Sequence, residues 1–237
     1  MIELKDLDIG YRSGKQNTYV FKGLNASFGK GELIGLVGNN GVGKSTLLKT
    51  ITGNLELLGG DILLEGKSVK SLSVKEIAKR ISLVLTDKIG GFNLTVFDVV
   101  ASGRIPFLNA FGQLKDTDLE IIRNSIFKVG VDHLAERRID ELSDGQRQKV
   151  MIAKSLAQQT PLILLDEPTA FLDYSSRQQL FLILRELASN EQKTIIISSH
   201  DLDILFKNVD KVFYLMEENN FECNAPHVIQ KLIHQLH

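Results

Sequence analysis

One octapeptide constrains this chain more than any other stretch: Gly38-Asn39-Asn40-Gly41-Val42-Gly43-Lys44-Ser45, followed directly by Thr46. It has the form G-x-x-x-x-G-K-S, and it lies between an apolar run, Leu33–Val37, and a helical stretch, Thr46–Thr52. A buried strand, a glycine-rich loop and a helix in that order make a cradle for phosphate. The glycines let backbone N–H groups converge where side chains would block approach, and the helix N-terminus adds positive potential. Lys44 is placed to reach the β- and γ-phosphates of a nucleotide, and the Ser45 hydroxyl to ligate Mg²⁺. Taken alone, the loop leaves GTPases, kinases, helicases and other nucleotidases equally open.

The rest of the chain alternates short apolar runs with helical stretches, the pattern of an α/β fold with a mostly parallel sheet. The runs Glu32–Val37, Leu162–Leu165 and Thr194–Ser198 are short, apolar and followed by turn or charged residues. Each is expected to be a buried strand delivering polar residues to one edge of the sheet, where open α/β sheets bind ligands. The N-terminal stretches Ile2–Ile9 and Tyr19–Phe28 alternate more and predict an antiparallel β subdomain, joined by the polar loop Ser13–Thr18. Between Leu94 and Gln159, helix-spaced apolar residues over Val96–Ser102, Asp118–Val129 and Gln146–Gln158 predict an inserted helical lobe. Residues 1–237 are thus read as a single domain. Its core covers about 1–85 and 160–216, its helical lobe about 86–159, and a short C-terminal helix about 226–236.

The Leu162–Leu165 run ends in Asp166-Glu167, two adjacent carboxylates that point differently at a strand end and can take different tasks. Asp166 is suited to hold Mg²⁺ through its water shell, and Glu167 to orient and deprotonate an attacking water. The Thr194–Ser198 run leads into Ser199-His200-Asp201. A histidine after a strand is by default structural. Here it follows the third of three strands whose other ends carry the phosphate loop and the acids, which points to contact with a γ-phosphate, the water and Glu167.

Composition narrows the setting. A formal net charge of -1 argues against a nucleic-acid binder working through a broad basic face. Cys223 is the only cysteine, so neither an intrachain disulfide nor a thiolate zinc cluster is expected. The N-terminal residues have no signal-peptide core, and no apolar run approaches the roughly 18 residues of a membrane span. A cytoplasmic chain is expected, with any membrane part on another polypeptide.

Leu142-Ser143-Asp144-Gly145-Gln146 opens the helix that leads to the Asp166-Glu167 strand. Helix capping alone would account for Ser143. Yet this pentapeptide, followed by Arg147-Gln148, resembles the signature of ATP-binding cassette (ABC) ATPases, and the likeness covers nearly the whole chain with its motifs in order. The resemblance implies that two cassettes pack head to tail, each ATP lying between one subunit's Gly38–Thr46 loop and the other's Ser143, Gly145 and Gln146. It further implies that Tyr11 stacks on adenine. Asp173, in Ala170-Phe171-Leu172-Asp173, would link the two sites across the dimer, Phe171 being bulkier than the family usually has there.

This sequence departs from the pattern twice. Asp144 stands where glycine is usual, so its carboxylate must turn away from a bound phosphate. No glutamine follows the Ile81–Leu85 run; by spacing, Thr86 best fills the place of the family's Mg²⁺-contacting glutamine, with Asp87 one residue off. The segment from Leu94-Thr95-Val96 to Gly103-Arg104-Ile105-Pro106 resembles ATPases of importers for iron–siderophore complexes, haem and vitamin B12. The resemblance implies an ATPase peripheral to the inner membrane face, working with a second identical cassette, a membrane permease and an extracytoplasmic solute-binding protein. The competing readings are an exporter cassette with a separate permease and a soluble non-transport ABC ATPase.

Overall fold

The computed structural model describes residues 1–14, 16–85, 93–109 and 111–236. Its centre is a six-stranded sheet in the order β10-β9-β3-β8-β7-β6. The strands are β3 (Leu33–Val37), β6 (Ile81–Val84), β7 (Leu162–Leu165), β8 (Thr194–Ser198), β9 (Lys211–Leu215) and β10 (Phe221–Asn224). All neighbours are parallel except β9 and β10. Every residue of β3, β7 and β8 is buried, which is why these strands read as unbroken apolar runs.

The pleat divides those residues between two cores. Leu33, Val37, Ile163, Leu165, Ile195 and Ile197 face one cluster with the helical lobe. Ile34, Leu36, Leu162, Leu164 and Ile196 face another, beneath a second sheet. That second sheet is antiparallel and has the order β2-β1-β4-β5, from β1 (Ile2–Ser13), β2 (Gln16–Phe28), β4 (Gly59–Leu64) and β5 (Lys67–Ser68). The β1–β2 pairing runs further than the alternation suggested. Ser13 pairs with Gln16, Arg12 with Asn17 and Tyr11 with Thr18, so most of the expected Ser13–Thr18 loop belongs to the ladder.

The helices are α1 (Lys44–Ile51), α2 (Val74–Ala78), α3 (Val96–Ala101), α4 (Asp116–Lys128), α5 (Asp144–Ala157), α6 (Tyr174–Ser189), α7 (Leu202–Asn208) and α8 (Pro226–Leu236). Capping residues fix several starts. Ser73, Thr95 and Ser143 each close a reciprocal capping box with the residue three positions on. Among the described residues no helix is long and apolar enough to cross a membrane.

Within the lobe, the Gly103-Arg104 step that marks the sequence resemblance has a packing role. Arg104 is buried, and its Nε donates to Asp118 Oδ1 at 2.8 Å. Its Nη1 donates to the Ala157 carbonyl at 2.9 Å, tying the turn after α3 to α4 and to the end of α5. The Lys115 backbone N–H, and then Arg104, hold the Asp118 carboxyl below the usual carboxylate range. Arg104→Ala would leave a buried carboxylate without its cation, and we expect a loss of about 3–5 kcal/mol in denaturant unfolding at neutral pH. Because the folded-state pKa of Asp118 is depressed, this stabilisation is full above about pH 4 and fades as pH falls through the lower folded value. The gap between wild type and variant should therefore narrow in acid.

Candidate nucleotide site

Strands β3, β6, β7 and β8 run in one direction, so their C-terminal ends share one edge of the sheet. The first of those ends becomes the Gly38–Ser45 loop. Gly43, immediately before α1, has φ 117, and a Cβ there would lie 2.4 Å from Val20 Cγ1. Only glycine accepts both that conformation and that approach, and the tight turn is what aims the first N–H groups of α1 into the loop. Lys44 folds along the loop, its Nζ donating to the carbonyls of Gly38 at 2.7 Å and Asn39 at 3.1 Å. Burial pushes the Lys44 ammonium down from its ordinary value, and the charges of Glu167 and Asp166 oppose that shift. Asn39 is steadied from outside by Glu217, whose Oε1 accepts from its Nδ2 at 3.1 Å. Asn40, Gly41 and Ser45 are exposed at the mouth and Val42 is half-buried, with its N–H on the Asn39 carbonyl.

Tyr11, near the end of β1, is half exposed, and its hydroxyl lies 2.9 Å from Thr46 Oγ1. The ring thus stands beside the phosphate loop, tethered to the first turn of α1.

At the end of β7, Asp166 is buried and Glu167 turns outward with φ 48, a left-handed conformation that is strained for a residue with a side chain. Ser198, at the end of β8, explains how the turn is held. Its Oγ accepts from the Glu167 N–H at 2.9 Å and donates to Asp166 Oδ1 at 2.7 Å. One hydroxyl thereby fixes both acids. Sequence reasoning passed over Ser198, because the pairing of Leu165 with Ile197 that brings its hydroxyl to both acids is set by the fold and by no local motif. Two residues on, His200 Nε2 lies 2.6 Å from Glu167 Oε1. A nucleotide-loop cation, two carboxylates and an imidazole are therefore gathered on one edge. Ser45 and Asp166 are hard oxygen donors of the kind Mg²⁺ selects, and the Ser198 bond occupies Asp166 Oδ1 rather than Oδ2. Thr86 and Asp87 lie outside the described residues.

Ser143, Gly145 and Gln146 do not join this group. They line a separate cavity of about 390 Å³ with Lys149, Phe171 and Asp173, and no residue of the Gly38–Thr46 loop borders it. Ser143 caps α5, its Oγ accepting from the Gln146 N–H at 3.2 Å while Gln146 Oε1 accepts from the Ser143 N–H at 3.0 Å. A Cβ on Gly145 would lie 2.8 Å from the Phe171 carbonyl oxygen, so glycine at this position lets the 170–173 loop approach the start of α5. Asp144 is met by Arg147 Nη1 at 2.8 Å, so a cation on the same helix turn offsets the negative charge that replaces glycine. Asp173 caps α6 by accepting from the Ser176 N–H at 2.7 Å. Lys149 and Phe171 belong to this cavity without having been marked as site residues in the sequence.

The chain matches known proteins over most of its length. The ABC transporter family model matches residues 21–170. An uncharacterised ABC transporter ATP-binding protein of Methanocaldococcus jannaschii, MJ0873, is 38% identical, over 98% of this chain and 78% of its own length. The petrobactin import ATP-binding protein FpuD of Bacillus anthracis is 34% identical, over 98% of this chain and 84% of its own. Among solved structures, the dimeric post-hydrolysis state of the ATP-binding cassette MJ0796, bound to ADP and Pi, superposes with a TM-score of 0.80. It is 26% identical and covers 94% of this chain and 98% of its own.

Proposed function

The chain belongs to the ABC transporter family as an ATP-binding, ATP-hydrolysing cassette, and from that premise we propose that it energises a membrane importer of the iron–siderophore, haem or cobalamin class. The observation that carries the ATPase half is the convergence of Lys44, Asp166, Glu167 and His200 on one sheet edge, with the Ser143 cavity held apart. A site divided in this way is completed by a second copy. The phosphate loop of one chain and the Ser143–Gln146 turn of the other would enclose one ATP, and the dimeric MJ0796 cassette supports that reading.

In this arrangement the Gly38–Ser45 backbone and Lys44 bind the β- and γ-phosphates, Thr46 extends the cradle, and Tyr11 stacks on the base. Ser45 and Asp166, with Thr86 as a further oxygen donor, would hold Mg²⁺, which when bound neutralises charge on the phosphate oxygens. Glu167 accepts the proton of the attacking water. The 2.6 Å His200 contact supports a role in orienting that carboxylate, and the exposed imidazole would contact the γ-phosphate and the water. The second chain's Ser143, Gly145 and Gln146 close over the γ-phosphate with the N-terminus of α5 behind them, and Asp173 links the two sites.

The importer assignment is supported by the FpuD likeness and by the Leu94–Pro106 segment. It implies a permease that holds the cassette pair at the inner face of the membrane, and a solute-binding protein acting from the far side. Co-purification from membranes tests it. Recovery with a polytopic permease is the expected result, and recovery with a soluble scaffold complex alone would overturn it.

A further inference from the structure

Arg177 bridges two loops that flank the site, one before α6 and one after β8. It lies in the first turn of α6, where its Nε donates to the Leu172 carbonyl at 2.9 Å and its Nη1 donates to Asp201 Oδ2 at 3.0 Å. Leu172 belongs to the 170–173 loop, whose Phe171 and Asp173 line the cavity that holds Ser143. Asp201 follows His200, and His200 bonds Glu167.

Each loop is already pinned at one end. Asp173 caps α6 through the Ser176 N–H, and Asp201 caps α7 by accepting from the Ile204 N–H at 3.4 Å while its own N–H donates to Ser199 Oγ at 3.0 Å. Arg177 ties them together at the Leu172 carbonyl and the Asp201 carboxylate, and a 3.4 Å contact between the Thr169 and Ser199 hydroxyls lies beside it. With Glu167, Thr169, Ala170, His200 and Asp201, Arg177 also lines a small cavity of about 130 Å³. The His200 side chain is 47% exposed, so little packing holds it against Glu167 and the position of the backbone that carries it matters more.

We propose that Arg177 is a positioning residue that sets the His200–Glu167 contact and makes it respond to the loop 170–173, on which a second cassette closes. A planar guanidinium can hold a carbonyl and a carboxylate together in fixed directions, and a lysine ammonium cannot reproduce that fork. Contact at Phe171 and Asp173 would shift the Leu172 carbonyl, and the rigid fork would pass the shift to Asp201 and so to the imidazole. The inference rests on the roles given above to Glu167 and His200.

The test compares steady-state ATPase kinetics and equilibrium ATP binding in Arg177→Ala, Arg177→Lys, Asp201→Asn, His200→Ala and the Arg177→Ala/His200→Ala double variant. Arg177→Ala should lower kcat about 10- to 100-fold, in line with the cost of misplacing a reacting group, with ATP affinity within about twofold of wild type. Lysine should restore little of the loss, and Asp201→Asn, which keeps the cap of α7 but weakens the ion pair, should lower kcat in the same direction. The double variant should be no slower than His200→Ala, because the two residues act through one contact. Additive losses, an unchanged kcat, or an affinity loss matching the kcat loss would overturn the proposal. If His200→Ala kept full activity, the role of His200 would fall as well, which separates that failure from this one. Should Arg177→Ala fail to fold, the Asp201→Asn/His200→Ala pair carries the same comparison.

Discussion

Glu167→Gln is expected to lower steady-state ATP turnover by about 10²- to 10⁴-fold, the usual contribution of a positioned general base, while ATP binding survives. The amide preserves side-chain volume and an acceptor oxygen for His200, and the backbone N–H on Ser198 is untouched. What disappears is the negative oxygen able to take a proton from water. The 2.6 Å His200 contact holds that oxygen at the edge of the sheet, and among the described residues the nearby acids are engaged elsewhere: Asp166 is buried and bonded to Ser198, and Asp201 is paired with Arg177. ATP should then accumulate between two cassettes that close without hydrolysing, read as an ATP-dependent dimer in light scattering. An unchanged turnover rate would remove Glu167 from the mechanism.

Lys44→Ala should abolish measurable ATP binding. The ammonium donates to the carbonyls of Gly38 and Asn39, which keeps it inside the loop it must serve. A hydrogen bond from a charged group contributes about 1.5–3 kcal/mol. Two such bonds to phosphate oxygens correspond to an affinity loss of at least about 100-fold. The fold should tolerate the change, because burial disfavours the Lys44 charge and alanine suits a helix start better than a partly desolvated cation. Equilibrium titration with ATP measures this directly, and wild-type affinity would contradict the cradle.

Much of the site was readable in the sequence because its parts are local. A glycine loop after a strand, two acids after a second and a histidine after a third are visible as short words, and parallel pairing then brings the words to one edge. Buried strands announce themselves through unbroken β-branched runs, as in Thr194–Ser198. What stayed hidden depends on partners far along the chain. The 198th residue is an ordinary serine until β8 is laid beside β7, where its hydroxyl meets both acids. Arg177 looks like a surface charge on an amphipathic helix until Leu172 and Asp201 are folded around it. The compensation of Asp144 by Arg147 was open to inspection at a spacing of three residues, but only the capped start of α5 settles which way the carboxylate turns. The hairpin length was misjudged for a related reason, since polar residues such as Asn17 and Thr18 join a ladder whenever a facing strand offers partners.

The distance kept between the phosphate loop and the Ser143 cavity has a kinetic meaning. On the two-chain site proposed above, a chain that carries the first half of one site and the second half of another would have no fixed specific activity. At low concentration its rate rises with the square of the number of molecules, becoming proportional only once encounters are no longer limiting. Tethering two copies side by side removes that dependence. Under the importer reading proposed above, a membrane partner that holds two cassettes side by side would, before any solute moves, convert a second-order ATPase into a first-order one.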